Sequence, residues 1–248
     1  MKLSGKTAII TGCASGMGKA TAQLFCSDGA QVVLNDLSDQ VFTLERELQA
    51  QGYEVAAVQG SAADMDIAEK AAQTAVDRFG KIDILINTVG LSCRTAILDT
   101  SLEEFERVIN TNLKAVFCPC KAVLPYMIER QYGRIVNISS VAGLRGGGLL
   151  GKSTYAASKG GVTALSKGIA REVAKYGITC NVICPGFTMT PRTKDLPEEE
   201  FQRVLSAIPL GRGGQVNEIT PMILLLASDD AGFITGTIHV IDGGTSMT

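Results

Sequence analysis

Short apolar runs alternate along the chain with longer stretches in which hydrophobic residues recur every three or four positions. The runs are Ala8 to Thr11, Gln31 to Asn35, Val55 to Val58, Ile82 to Ile86, Arg134 to Ile138 and Ile178 to Cys184, with another at Thr237 to Ile241. Several are rich in Val and Ile and all are too short for helices, so they predict strands buried on both faces. The segments between them are long enough for crossover helices, which predicts a parallel sheet and a doubly wound α/β fold. One apolar stripe runs from Leu102 through Val108, Leu113 and Val116 to Met127, predicting a long helix bent near Pro119 or Pro125. A second helix, from Tyr155 to about Lys175, is rich in Gly and Ala, so it can approach a neighbour closely. Neither a repeat nor a linker divides the chain, and residues 1–248 are expected to form one domain.

Candidate chemistry gathers where predicted strands end. After the first strand, Thr11-Gly12-Cys13-Ala14-Ser15-Gly16-Met17-Gly18 opens a helix. Glycines at 12, 16 and 18 permit close backbone approach, so a pyrophosphate can rest on the helix N-terminus. Asp36, followed by Leu37, ends the second strand. A carboxylate there accepts hydrogen bonds from a ribose diol and repels a 2′-phosphate, favouring NAD over NADP. The fourth strand ends in Asn87-Thr88-Val89-Gly90, a turn suited to pass beneath the adenosine end of a dinucleotide. Asn112 is a lone amide within the long apolar stripe and needs a partner there.

Tyr155 and Lys159 are four residues apart, hence on one helix face. A phenol titrates near ~10, and an adjacent ammonium favours its anion. Lowering it by roughly three units corresponds to about 4 kcal/mol, a demand that a second positive charge, such as an oxidised nicotinamide, would share. Ser140 follows the fifth strand and can donate a hydrogen bond to the same oxygen as Tyr155. Such a set suits proton transfer at a carbonyl or alcohol, although a Tyr-x-x-x-Lys pair alone also arises on ordinary helices. Beyond the sixth strand, Pro185-Gly186-Phe187-Thr188-Met189-Thr190 leaves the carboxyl edge of the sheet. The charged segment that follows suggests a lid at about 188–209 or a solvated excursion.

Composition narrows the partners. Hydrophobic residues make up 46% and charged residues 19% of 248, with a net charge of −2, so no basic footprint invites nucleic acid. No long apolar run suits a membrane span, and a cytoplasmic protein is expected. Seven cysteines without a Cys-x-x-Cys pair, beside the single His239, disfavour disulfides and structural zinc, so no metal is expected.

In their joint order these residues resemble the short-chain dehydrogenase/reductase family across essentially the whole chain: Thr-Gly-x3-Gly-x-Gly, Asp36, Asn87 with Gly90, Asn112, Ser140, Tyr155-x3-Lys159, Pro185-Gly186 and Asp242-Gly243-Gly244. The resemblance implies a Rossmann fold with seven strands in order 3-2-1-4-5-6-7, helices on both faces and assembly into a homotetramer through the two long helices. It implies that Tyr155 is the general acid/base, that Lys159 holds the nicotinamide ribose, that Ser140 holds the substrate oxygen and that Asn112 organises a proton relay. Thr188 and Thr190 would hold the nicotinamide end, and Ser15, Met17 and Leu37 fall within the cofactor-binding segments. Three positions depart from the family pattern: Ser61-Ala62 stands where an Asp-Val pair is usual, Thr88-Val89 replaces Asn-Ala, and the Ser140-to-Tyr155 loop carries extra glycines and leucines.

The expected activity is NAD(H)-dependent interconversion of a small secondary alcohol and a ketone, with a 3-oxoacyl-thioester reductase as the alternative. The latter usually prefers NADPH, against which Asp36 counts. Leu144, Leu149, Leu150, Phe187 and Met189 are candidates for an apolar substrate wall, and Arg94, Arg145, Lys152 and Arg192 for receiving an anion, within loops that include Phe187 to Asp195. A nucleotide-sensing regulator without catalysis and a methyltransferase on a similar sheet are the rivals.

Overall fold

The computed structural model describes residues 1–194 and 196–247. Asp195, Thr248 and the side chains of Arg192 and Lys194 lie outside it, and with them that part of the expected loop. Strands β1 (Thr7–Thr11), β2 (Gln31–Asp36), β3 (Val55–Gln59), β4 (Ile84–Asn87), β5 (Gly133–Ile138), β6 (Ile178–Pro185) and β7 (Ile238–Ile241) form one sheet in the order 3-2-1-4-5-6-7. Every pairing is parallel. The expected run Ile82 to Ile86 starts two residues late, at Ile84. Asp83 just before it still bonds to both neighbouring strands, its N–H donating to the Thr7 carbonyl and its carbonyl accepting the Arg134 N–H, each at 2.9 Å, while its carboxylate accepts the Thr7 N–H at 2.9 Å and pairs with Lys81.

The helices are α1 (Gly16–Ser27), α2 (Gln40–Gln49), α3 (Met65–Phe79), α4 (Leu102–Ile109), α5 (Ala115–Glu129), α6 (Val141–Arg145), α7 (Ser153–Val173), α8 (Pro191–Lys194), α9 (Glu198–Ser206) and α10 (Val216–Ala227). On one face of the sheet Phe25, Leu44, Ile223 and Leu226 of α1, α2 and α10 pack on Leu34 and Ile86. On the other, Ala72, Val116, Met127 and Val162 of α3, α5 and α7 pack on Ile9 and Leu85. Burial on both faces explains why the strands read as continuous apolar runs, each fully buried large side chain contributing roughly 1.5–3 kcal/mol.

The stripe from Leu102 is broken, though not at its prolines, both of which lie inside α5. A π-helical turn at Asn110–Lys114 separates α4 from α5. The amide of Asn112 accounts for the break: it is fully buried and bonds to a neighbouring loop instead of its own helix, which the wider turn permits.

All seven cysteines are free and buried. Burial pushes the thiols of Cys26 and Cys120 up to about 12, so they act as small hydrophobes. Among the described residues no helix is long and apolar enough to cross a membrane.

His239 lies in β7 with Nε2 2.6 Å from the Thr237 hydroxyl, and partial burial lowers its pKa from the ordinary value. The folded state therefore resists a proton that the unfolded chain accepts. Its contribution is intact above ~6.5 and is lost as pH falls towards the depressed folded value. As this is the chain's single histidine, His239→Gln should flatten the pH dependence of the urea midpoint between about pH 7 and pH 5.

Candidate active site

One cleft of about 890 Å³ opens along the carboxyl ends of β1, β2, β4, β5 and β6. That volume is within the roughly 300–1,000 Å³ of ligand sites. Its floor begins at the glycine-rich turn, which hangs from the end of β2. The N–H groups of Gly12 and Cys13 donate to the Asn35 carbonyl at 2.8 and 3.3 Å, and that of Ala14 donates to Asp36 Oδ2 at 2.9 Å. Gly18 packs so tightly under this turn that a Cβ would lie 2.2 Å from the Gly12 carbonyl and 2.6 Å from Thr88 Oγ1. Ser15 makes no side-chain capping bond, and the first-turn amides of a helix lack intrahelical partners, so α1 begins as an anion site facing the cleft.

Asp36 lines the cleft with its carboxylate braced, since Oδ1 accepts the Ser38 N–H at 2.9 Å. Each oxygen keeps lone-pair capacity for a diol. Leu37, Ser61 and Ala62 line the same end, and the Ser61 hydroxyl accepts the Ala63 N–H at 3.2 Å.

At the other end α7 carries Tyr155 and Lys159, and both line the cleft. Lys159 is almost wholly buried, with Nζ donating to the carbonyls of Ile138 at 3.0 Å and Val89 at 3.3 Å. The end of β5 and the turn after β4 thus fix where the ammonium sits. The Tyr155 ring rests on Gly151, where a Cβ would lie 2.2 Å from Cδ1. Ser140 caps α6 by accepting the Ala142 N–H at 3.1 Å, which leaves its own O–H to donate. Ser139 differs: its hydroxyl donates to the Lys159 carbonyl at 2.8 Å, inside the packing of α7.

Gly12, Ser15, Gly16, Met17, Gly18, Gly90, Pro185, Gly186, Thr188 and Thr190 also line the cleft. Asn87 and Asn112 do not, because both amides are spent on holding the walls. Asn87 accepts from Thr11 Oγ1 at 3.1 Å and donates to Asn137 Oδ1 at 2.8 Å, forming a buried seam across three strands. Asn112 accepts from Leu91 N at 2.6 Å and donates to Leu91 O at 2.9 Å and Ser158 Oγ at 2.8 Å. Of the expected apolar wall, Leu149, Leu150 and Phe187 face the cleft. Leu144 instead packs beside Val182 and Cys184, and Met189 turns to Gly213.

Sequence reasoning missed three contributors. The Thr88 hydroxyl donates to the Thr11 carbonyl at 2.7 Å and lies 3.2 Å from that of Gly12, locking the glycine-rich turn to β4. Thr193 Oγ1 accepts from Thr190 N at 2.8 Å and donates to Thr190 O at 2.9 Å, tying the loop that carries Thr188 and Thr190. Thr245 reaches the cleft from the C-terminal turn. A departure from the family turn signalled Thr88; nothing local signalled the other two.

A glycine-rich turn, a strand-end carboxylate and a helix face carrying Tyr155 and the buried Lys159 around one cleft define a doubly wound dinucleotide-dependent oxidoreductase. A family model described as enoyl-(acyl carrier protein) reductase matches residues 12–246, and the chain belongs to the short-chain dehydrogenase/reductase family. It is 41% identical over 245 residues to the 3-oxoacyl-[acyl-carrier-protein] reductase FabG of Thermotoga maritima, covering 98% of this chain and 99% of that one. It is 40% identical to (2S)-[(R)-hydroxy(phenyl)methyl]succinyl-CoA dehydrogenase subunit BbsD of Thauera aromatica, covering 100% and 99%. A solved structure described as the crystal structure of gox2181 superposes with a TM-score of 0.95 at 28% identity, covering 100% of this chain and 98% of that one. The family uses a nicotinamide cofactor, and the glycine-rich turn, Asp36, Lys159, Thr188 and Thr190 border one continuous space that fits it.

Because Thr88 braces that turn, Thr88→Val should weaken binding of the nicotinamide dinucleotide several-fold and lower the melting temperature by a few degrees, one lost hydrogen bond being worth about 1 kcal/mol. Thr88→Ser should retain the affinity. Isothermal titration checks both.

Proposed function

We propose that this oxidoreductase interconverts a 3-oxoacyl thioester and its 3-hydroxyacyl counterpart with NAD(H). The observation that carries the chemistry is the meeting of Tyr155, Lys159 and Ser140 with the glycine-rich turn in a single cleft. The thioester class is supported by the similar proteins, whose names include 3-oxoacyl-[acyl-carrier-protein] reductases and a hydroxy(phenyl)methylsuccinyl-CoA dehydrogenase. They favour it over a generic secondary-alcohol dehydrogenase.

When bound, the nicotinamide supplies or accepts the hydride. The chain's own groups manage the oxygen. Ser140 donates a hydrogen bond to the substrate oxygen, and Tyr155 gives that oxygen a proton on reduction or removes it on oxidation. Lys159, held by the Ile138 and Val89 carbonyls, would bind the ribose of the cofactor, and its ammonium favours the phenolate. Asn112 supports this arrangement by fixing Leu91 and Ser158. The segment at about 188–209, containing α8 and α9, serves as a lid over the nicotinamide end. Leu102, Phe105 and Phe117 leave apolar surface exposed on α4 and α5, which supports association into tetramers through these helices.

NADH consumption with acetoacetyl thioesters should exceed that with simple aliphatic ketones, and Tyr155→Phe should lower kcat by roughly 10²–10⁴-fold while NADH still binds. Near-normal turnover in that variant would reject the assignment. The braced Asp36 carboxylate should make NADH bind more tightly than NADPH, and Asp36→Ser should narrow or reverse that preference in parallel titrations.

A further inference from the structure

Of the four basic side chains that were candidates to receive a substrate anion, three lie among the described residues, and the fold separates them. Arg145 is turned to the Thr245 carbonyl at 3.2 Å and does not line the cleft, nor does Lys152. Arg94 does line it, at the mouth. Its guanidinium is met by Glu200 of α9, with Nη1 3.1 Å from Oε2. The other Glu200 oxygen lies 3.7 Å from Arg203 Nη2. Arg203 in turn donates to the carbonyl of Leu149, a cleft-lining residue, at 3.0 Å. The same helix sets Phe201 edge-on to Phe187 of the apolar wall, ring centres 5.9 Å apart. A carboxylate of α9 therefore occupies the rim between two arginines.

Resting on the thioester reading, we propose that Arg94 is a specificity-determining residue that receives a carboxylate or phosphate on the substrate remote from its reacting carbonyl, and that Glu200 holds that anion's place until it arrives. Guanidinium groups bind carboxylates and phosphates through the same fork of donors, so one oxyanion can replace the other. Both side chains of the pair are partly exposed, which keeps it weak and exchangeable. Glu200 competes with an anionic substrate and leaves a neutral one unaffected.

Isothermal titration into the protein holding its oxidised dinucleotide, where a ketone cannot react, tests this. Acetoacetyl-CoA is compared with the phosphate-free acetoacetyl-N-acetylcysteamine, and acetoacetate with its methyl ester. Arg94→Gln should weaken binding of the anionic member of one pair by about tenfold, one charge-assisted hydrogen bond, and spare its neutral partner. Arg94→Lys should recover part of the loss, and Glu200→Gln should tighten the anionic ligand. Which pair responds tells phosphate from carboxylate. Equal effects on both members, no effect on either pair, or weaker binding in Glu200→Gln would overturn the proposal. Failure of the thioester reading would show separately, as binding without NADH consumption in the wild type.

Discussion

The site depends on how the first turn hangs from the second strand. Three consecutive N–H groups, from Gly12, Cys13 and Ala14, end on the Asn35 carbonyl and the Asp36 carboxylate. That attachment fixes the origin of α1 and the direction of the carboxylate together. One backbone geometry therefore sets both where an anion can sit and which ribose can lie beside it. Thr88 closes the arrangement from the other side, so that β2, β1 and β4 hold the turn as a unit.

A parallel sheet buried on both faces leaves no water to satisfy polar groups near its strand ends, and this chain supplies partners from within. In register across the sheet, Thr11, Asn87 and Asn137 bond in series, and Asn137 continues to Ser166 of α7. The helix bearing Tyr155 and Lys159 is thereby tied to the strand bearing the glycine-rich turn. Each such bond contributes about 1 kcal/mol net, yet removing one member would strand a buried amide at greater cost. Catalytic geometry and sheet stability share the same side chains.

The strands and their parallel pairing were legible in the sequence because apolar runs, glycine spacing and the Tyr155-Lys159 step are local signals, whereas the strand order and several cleft positions came from the family resemblance. What stayed hidden was set by contacts distant in the chain. Asn112 could be recognised as an amide in need of a partner, but its partner, Leu91, lies 21 positions away, and the π turn follows from that bond. That both ends of the Asn87 amide are engaged is visible only from its register with Thr11 and Asn137. Thr193 and Thr245 carry no pattern of their own. Of the four basic loop residues, only folding distinguishes Arg94 at the cleft from Arg145 bound to the C-terminal turn.

Gly151 stands near the end of the loop into α7, whose earlier members Leu149 and Leu150 face the cleft, and its bare backbone is what the Tyr155 ring lies against. A change of side chain at Leu149 or Leu150 would retune which molecule is admitted. The position touching the aromatic ring has no such freedom. Diversification of substrate choice and preservation of the reacting group are thus assigned to adjoining residues, with the boundary between them one peptide bond wide.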